Sequence, residues 1–150
     1  DKVIPNYDAL AVFQRLLARS ATGQPSVSFT SQFRKARPGA EMHVILVDNG
    51  RSNIIADQLH WRTAKCIRCG ACMNTCPVYR RSMGYSYNYF IPGPIGINLG
   101  MVHNPKKHSG NVSACSLCLS CDLVCPVKVA PGSQIYYWRQ ALEGFGTENK

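Results

Sequence analysis

Cys66-Ile67-Arg68-Cys69-Gly70-Ala71-Cys72-Met73-Asn74-Thr75-Cys76-Pro77 and, further on, Cys115-Ser116-Leu117-Cys118-Leu119-Ser120-Cys121-Asp122-Leu123-Val124-Cys125-Pro126 are two copies of one pattern, C-x2-C-x2-C-x3-C-P. All eight cysteines of the chain lie in these two blocks. The amino end, Asp1-Lys2-Val3-Ile4-Pro5, has neither an initiator Met nor the basic-then-apolar pattern of an export signal, so the chain is expected to begin inside a longer protein. Without export, thiolates bound to metal in a reducing, cytoplasmic compartment are expected rather than disulfides.

Three cysteines at intervals of three residues lie on a chain short enough to wrap one cube, and this run binds 4Fe-4S clusters in bacterial-type ferredoxins. Cys76 and Cys125 each precede proline, which disfavours helical backbone at the cysteine and directs the chain away. In two-cluster proteins of this pattern the fourth cysteine ligates the other cluster. The expected ligand sets are Cys66, Cys69, Cys72 and Cys125 for one 4Fe-4S cluster, and Cys115, Cys118, Cys121 and Cys76 for the other. Zinc is the competing metal, but its modules use pairs of C-x2-C and need neither a third cysteine at the same interval nor a Cys-Pro ending. His43, His60, His103 and His108 are not needed as ligands and read as surface or packed residues.

The composition, 45% hydrophobic and 17% charged, is that of a globular protein, and no run is long and apolar enough to span a membrane; peripheral association stays open. The formal charge of +9 raises nucleic acid as a partner. Its excess lies late, however: residues 58–150 carry ten Lys/Arg against three Asp/Glu, and residues 1–57 seven against five. Two oxidised clusters with their thiolates, about −2 each, offset much of that late excess. No stacking platform or recognisable binding module accompanies the charge, so no nucleic acid is expected.

Leu10, Phe13, Leu16 and Leu17 share one helical face, with Asn6 or Asp8 to cap the start and Gly23 to stop it. Val27 and Phe29 alternate with polar residues as in a half-buried strand, and His43-Val44-Ile45-Leu46-Val47 reads as a strand covered on both faces. Two strands and a helix cannot cover that second strand, so further sheet must come from upstream or from another copy. Asn49-Gly50 leaves hairpin and turn open, while Ile54, Ile55 and Leu59 suggest a short helix. Tyr85, Tyr87 and Tyr89 read as packing around a cluster, Ile91 to Gly96 as a rigid loop, and Lys106-Lys107-His108 as a solvated basic corner. Ile135, Trp138 and Leu142 form the stripe of a last helix, begun near Pro131 or Ser133 and ended at Gly144.

Each cluster moves one electron, so two in series can link a two-electron oxidation to a one-electron carrier. No flavin or nicotinamide fingerprint and no nucleophile–base pair is present, so substrate chemistry must occur on another subunit. A regulatory or purely structural role for the clusters stays open.

Ala18 to Pro25, Val44 to Ser52, Cys66 to Arg81 and Pro92-Gly93-Pro94-Ile95-Gly96 together resemble the lactate-utilization protein B family, iron-sulfur subunits of a bacterial L-lactate oxidation system. The resemblance implies an electron-transfer role in oxidising L-lactate to pyruvate, with the other subunits of that complex and an electron acceptor as partners. An iron-sulfur subunit of a glycolate oxidase or a heterodisulfide-reductase-like complex is the alternative. It also implies an α+β chain: residues 1–57 as the carboxyl-terminal helix/strand piece of an α/β lactate-utilization domain, and residues 58–150 as a dicluster α-helical ferredoxin. This chain departs from the family where glycine is expected, at Met83 and at Leu119.

Overall fold

The computed structural model describes residues 3–27, 31 and 33–144. Helix α1 (Tyr7–Thr22) starts at Asn6, whose side chain accepts from the Ala9 N–H at 2.8 Å, and stops at Gly23, where φ is 72°. Its Ala18 is buried and the Leu10, Phe13, Leu16 and Leu17 face is half-buried. Asn49 and Gly50 both take left-handed backbone and turn the chain into α2 (Arg51–Ala56). Asp48 secures that turn, accepting from the Ser52 N–H at 2.9 Å and the Gly50 N–H at 3.1 Å. A 3-10 turn, Trp61–Lys65, then delivers Cys66.

The first cysteine block contains α3 (Ala71–Thr75) and runs into α4 (Pro77–Ser82). A second 3-10 turn, Tyr85–Tyr87, precedes α5 (Gly93–His103), which is followed by α6 (Pro105–Ser113). The second block contains α7 (Ser120–Val124), and α8 (Pro131–Leu142) closes the described chain. Helix α5 is the axis. Gly93 to Asn98, Gly100 and Met101 are all buried, as a helix without a polar face must be. It packs against α3, α6 and α8, while α3 and α7 pack against each other.

Two small cores flank α5. Tyr87, Ile97, Met101, Val112 and Ile135 form one, against which Tyr79, Cys115, Leu117 and Trp138 pack. Ile95, Cys125 and Val129 form the other, with Cys66, Cys72, Ile91, Leu99 and Val127 packed on it. Each core thus includes cysteines.

Three expectations are corrected. Among the described residues the protein is helical and has no strand, so the α+β class finds no sheet there. The run His43–Val47 is irregular, and Val44 to Val47 are between 71% and 90% exposed, because no neighbouring strand supplies the ladder partners its backbone needs. The other expected strand falls largely on Ser28 to Thr30, outside the described residues. The Pro92-Gly93-Pro94-Ile95-Gly96 stretch is the entry and first turn of α5 rather than a loop. Its glycines serve close approach: a methyl on Gly96 would overlap the Ile91 carbonyl, and one on Gly93 would meet Met73 Cγ at 2.5 Å.

Candidate metal centre

The two cysteine blocks fold alike because their backbones share the same turns. Arg68 (φ 59°) and Leu117 (φ 52°) are left-handed, as are Gly70 (φ 85°) and Leu119 (φ 58°), the residues that begin α3 and α7. Each first cysteine accepts a backbone N–H from two residues on: Arg68 N–H to Cys66 Sγ at 3.3 Å, Leu117 N–H to Cys115 Sγ at 3.4 Å. The fourth cysteines match too, in extended backbone with φ of −74° at Cys76 and −70° at Cys125. Cys76 Sγ accepts from the Tyr79 N–H at 3.4 Å and caps α4 behind Pro77, and Cys125 Sγ accepts from the Val129 N–H at 3.3 Å. These N–H groups aim partial positive charge at sulfur, which favours thiolate.

Each fourth cysteine lies near a cysteine of the other block. Cys125 is buried in the core on which Cys66 and Cys72 pack. Burial pushes the Cys72 thiol up to about 12, against a backbone N–H at Ile95, and negative charge on Cys66, Cys69 and Cys125 around it pushes the same way. A cavity of about 310 Å³ opens beside them, lined by Cys66, Cys69, Met73, Ile91 and Ile95 among others. On the other side Cys76 and Cys115 line one cavity of about 170 Å³ with Tyr87, Pro94 and Ile97. The Cys115 thiol is raised by burial first and then by the neighbouring charges of Cys76 and Cys118. Cys121 is raised by burial first and then by Asp122, with smaller contributions from the charges of Cys72 and Cys115. Cys118 is exposed, and the Ser120 N–H holds its thiol below the ordinary range.

Among the described residues no three His, Cys, Asp or Glu side chains converge closely enough to hold one metal ion. A cube asks for something wider, because its four thiolates bind four different irons. Thiols spread around a cavity, with N–H groups directed at sulfur, fit two 4Fe-4S clusters.

Several supporting residues were invisible to cysteine counting. Arg139 on α8 donates through Nη2 to the carbonyls of Val112 at 2.8 Å, Ser113 at 3.3 Å and Cys115 at 2.7 Å, fastening the end of α6 to the start of the second block. Asp122 on α7 accepts from the Gly132 and Ser133 N–H groups and the Ser133 hydroxyl, capping α8. Buried Gln134 accepts from Thr63 at 2.7 Å and donates to the Val129 carbonyl at 2.7 Å, tying the approach to Cys66 to the exit from Cys125. A polar residue beside a ligand, as Asp122 stands beside Cys121, was the one readable sign. The tyrosines divide: Tyr87 is buried, Tyr89 half-buried and Tyr85 fully exposed. The histidines bind elsewhere: His60 stacks on Trp138 at 3.7 Å, His103 pairs with Asn49, His43 with Glu41, and His108 packs under Tyr89.

The 4Fe-4S dicluster domain family matches residues 62–129. The chain is 36% identical to lactate utilization protein B of Oceanobacillus iheyensis over 95% of its length, and 38% identical to that of Bacillus licheniformis over 95%. It is 35% identical over its whole length to the uncharacterized electron transport protein YkgF of Escherichia coli K12. The chain spans about a third of each of these relatives, 31% of the first two and 33% of the last. No solved structure matches it.

Proposed function

We propose that this chain, which carries a 4Fe-4S dicluster domain and is related to a third of the lactate utilization B proteins, passes single electrons during the oxidation of L-lactate to pyruvate. The ligand sets are Cys66, Cys69, Cys72 and Cys125 for one centre and Cys115, Cys118, Cys121 and Cys76 for the other. The observation that carries this reading is the position of Cys125, in the core with Cys66 and Cys72, while Cys76 shares a cavity with Cys115. Bound there, each cluster supplies reversible one-electron transfer at a potential set by its surroundings. The chain's residues do the rest. Backbone N–H groups at Arg68, Tyr79, Leu117 and Val129 orient the sulfurs, Ile95 and Val129 keep water from one centre, and Tyr87, Ile97 and Val112 keep it from the other. Substrate chemistry belongs to a partner subunit, and an electron acceptor completes the complex.

Residues 1–57 then finish an α/β domain, with Val44 to Val47 pairing in a sheet whose other strands lie upstream in the full-length protein. The exposure of that run and the greater length of the relatives support this. Thiolate clusters favour a reducing, cytoplasmic compartment for the whole.

Deleting the gene is expected to abolish growth on L-lactate, with rescue by the wild-type gene but not by one carrying Cys69→Ala. Unaffected growth of the deletion strain would remove lactate as substrate. The YkgF similarity favours electron transport without specifying lactate. Reducible clusters in a strain that still grows on L-lactate but fails on glycolate would move the assignment to a glycolate-oxidising complex.

A further inference from the structure

Tyr87 is 4% exposed, and its ring is held by Ile97, Met101, Val112 and Ile135. Its backbone is pinned as well, the carbonyl accepting from Asn111 Nδ2 at 2.8 Å. Among the described residues the hydroxyl nevertheless finds no acceptor in hydrogen-bonding geometry, although the Cys76 thiol lies close enough to interact with it. A buried O–H left without an acceptor is destabilising, so its retention in a core whose other buried side chains are apolar calls for an acceptor that arrives later. What the ring shares its cavity with is sulfur: Cys76 and Cys115 line the same space, and these two thiols lie near enough to the phenol to act on it electrostatically.

Building on the ligand assignment above, we propose that Tyr87 donates its O–H to the Cys76 thiolate and thereby raises the reduction potential of the centre held by Cys76, Cys115, Cys118 and Cys121. A neutral thiol is a weak acceptor, and a thiolate bound to iron is a strong one, so the missing partner is supplied when the cluster is bound. Donation to sulfur stabilises the more negative, reduced state more than the oxidised one, and the potential rises. Among the described residues no tyrosine belongs to the core around Cys125, which lies among Ile95, Val129 and Val127. The two centres are thereby made unequal by one oxygen atom.

The test is a reductive titration of the full-length, cluster-loaded protein followed by EPR, comparing wild type with Tyr87→Phe. Iron content and the number of reducible centres report on the ligand assignment, whereas the midpoint reports on Tyr87, so failure of one is separable from failure of the other. Tyr87→Phe is expected to keep both centres and to shift one midpoint negative, by up to a tenfold fall in the reduction equilibrium constant, ~59 mV for a one-electron couple. The midpoint that moves is expected to be the one that Cys118→Ser also moves. Tyr85→Phe, at a fully exposed phenol, is expected to leave both unchanged. An unchanged pair of midpoints in Tyr87→Phe, or a shift in the one that Cys69→Ser moves, would overturn the proposal. If Tyr87→Phe fails to retain iron, wild-type sequence grown with 3-fluorotyrosine decides: the more acidic phenol is a stronger donor, so the same midpoint must rise, and no rise overturns it.

Discussion

At Leu119 the backbone has φ 58° and ψ 4°, the conformation that Gly70 holds without strain at the equivalent point of the first block. A side chain there costs about 1–2 kcal/mol against the following carbonyl, and glycine gives back about 0.5–1 kcal/mol through its freer unfolded state. Leu119→Gly is therefore expected to stabilise the loaded protein by about 0.5–1 kcal/mol, seen as a higher urea midpoint for cluster loss. Met83, the other position where glycine was expected, is also left-handed (φ 58°), so both departures fall on strained backbone. Gly96 is the opposite case. Ala at that site would drive its methyl into the Ile91 carbonyl at the start of α5, and Gly96→Ala is expected to yield insoluble protein, checked by soluble expression. Proton release belongs to this scale too. The thiols of half-buried Cys72 and Cys115 and of buried Cys121 all sit above the ordinary range and must lose their protons on ligation. Cluster assembly is thus expected to release protons and to be favoured as pH rises, measurable as iron retained against a chelator at graded pH. The two cysteine blocks of the dicluster domain were legible at this scale from spacing alone. Tyr87, Arg139 and Gln134 were not, because nothing in the sequence near each names the distant atom it meets.

Among the elements, α8 braces the second block and the helix before it. Asp122 holds its first turn and Arg139, farther along it, holds the end of α6. Asp122→Ala leaves the Gly132 and Ser133 N–H groups without their carboxylate and is expected to cost about 1–2 kcal/mol, the range for a lost helix cap. Arg139→Met takes the guanidinium away from the Val112, Ser113 and Cys115 carbonyls and is expected to release iron selectively from the centre that includes Cys115, with partial recovery in Arg139→Lys, measured as iron and sulfide per chain. Helices α1 and α8 were readable because their apolar stripes are local, as is the Asn6 cap of α1. The strand expected at His43–Val47 was read equally well from β-branched residues, but a strand is a relation between two segments, and none of the described residues supplies the second. The α5 entry was missed because two prolines and two glycines within five residues look like a loop; their use in a first helical turn depends on Ile91 and Met73 crossing close by.

At the scale of the whole molecule the proposed ligation is an interlock. If each block gives three thiols to one centre and its fourth to the other, neither centre is complete without both halves of the 58–144 region folded together. The Cys-Pro endings carry that expectation, because they turn the chain away just after the fourth cysteine; the burial of α5 between the two cores was not readable from composition. Spectroscopy of Cys125→Ser gives the most direct test. Mössbauer spectra of the loaded full-length protein are to be compared among Cys125→Ser, Cys69→Ser and Cys118→Ser. Interlocked ligation predicts that Cys125→Ser perturbs the same iron sites as Cys69→Ser and leaves those disturbed by Cys118→Ser as in the wild type. A Cys125→Ser spectrum that instead coincides with that of Cys118→Ser would show each block closing on its own cluster and would contradict the account.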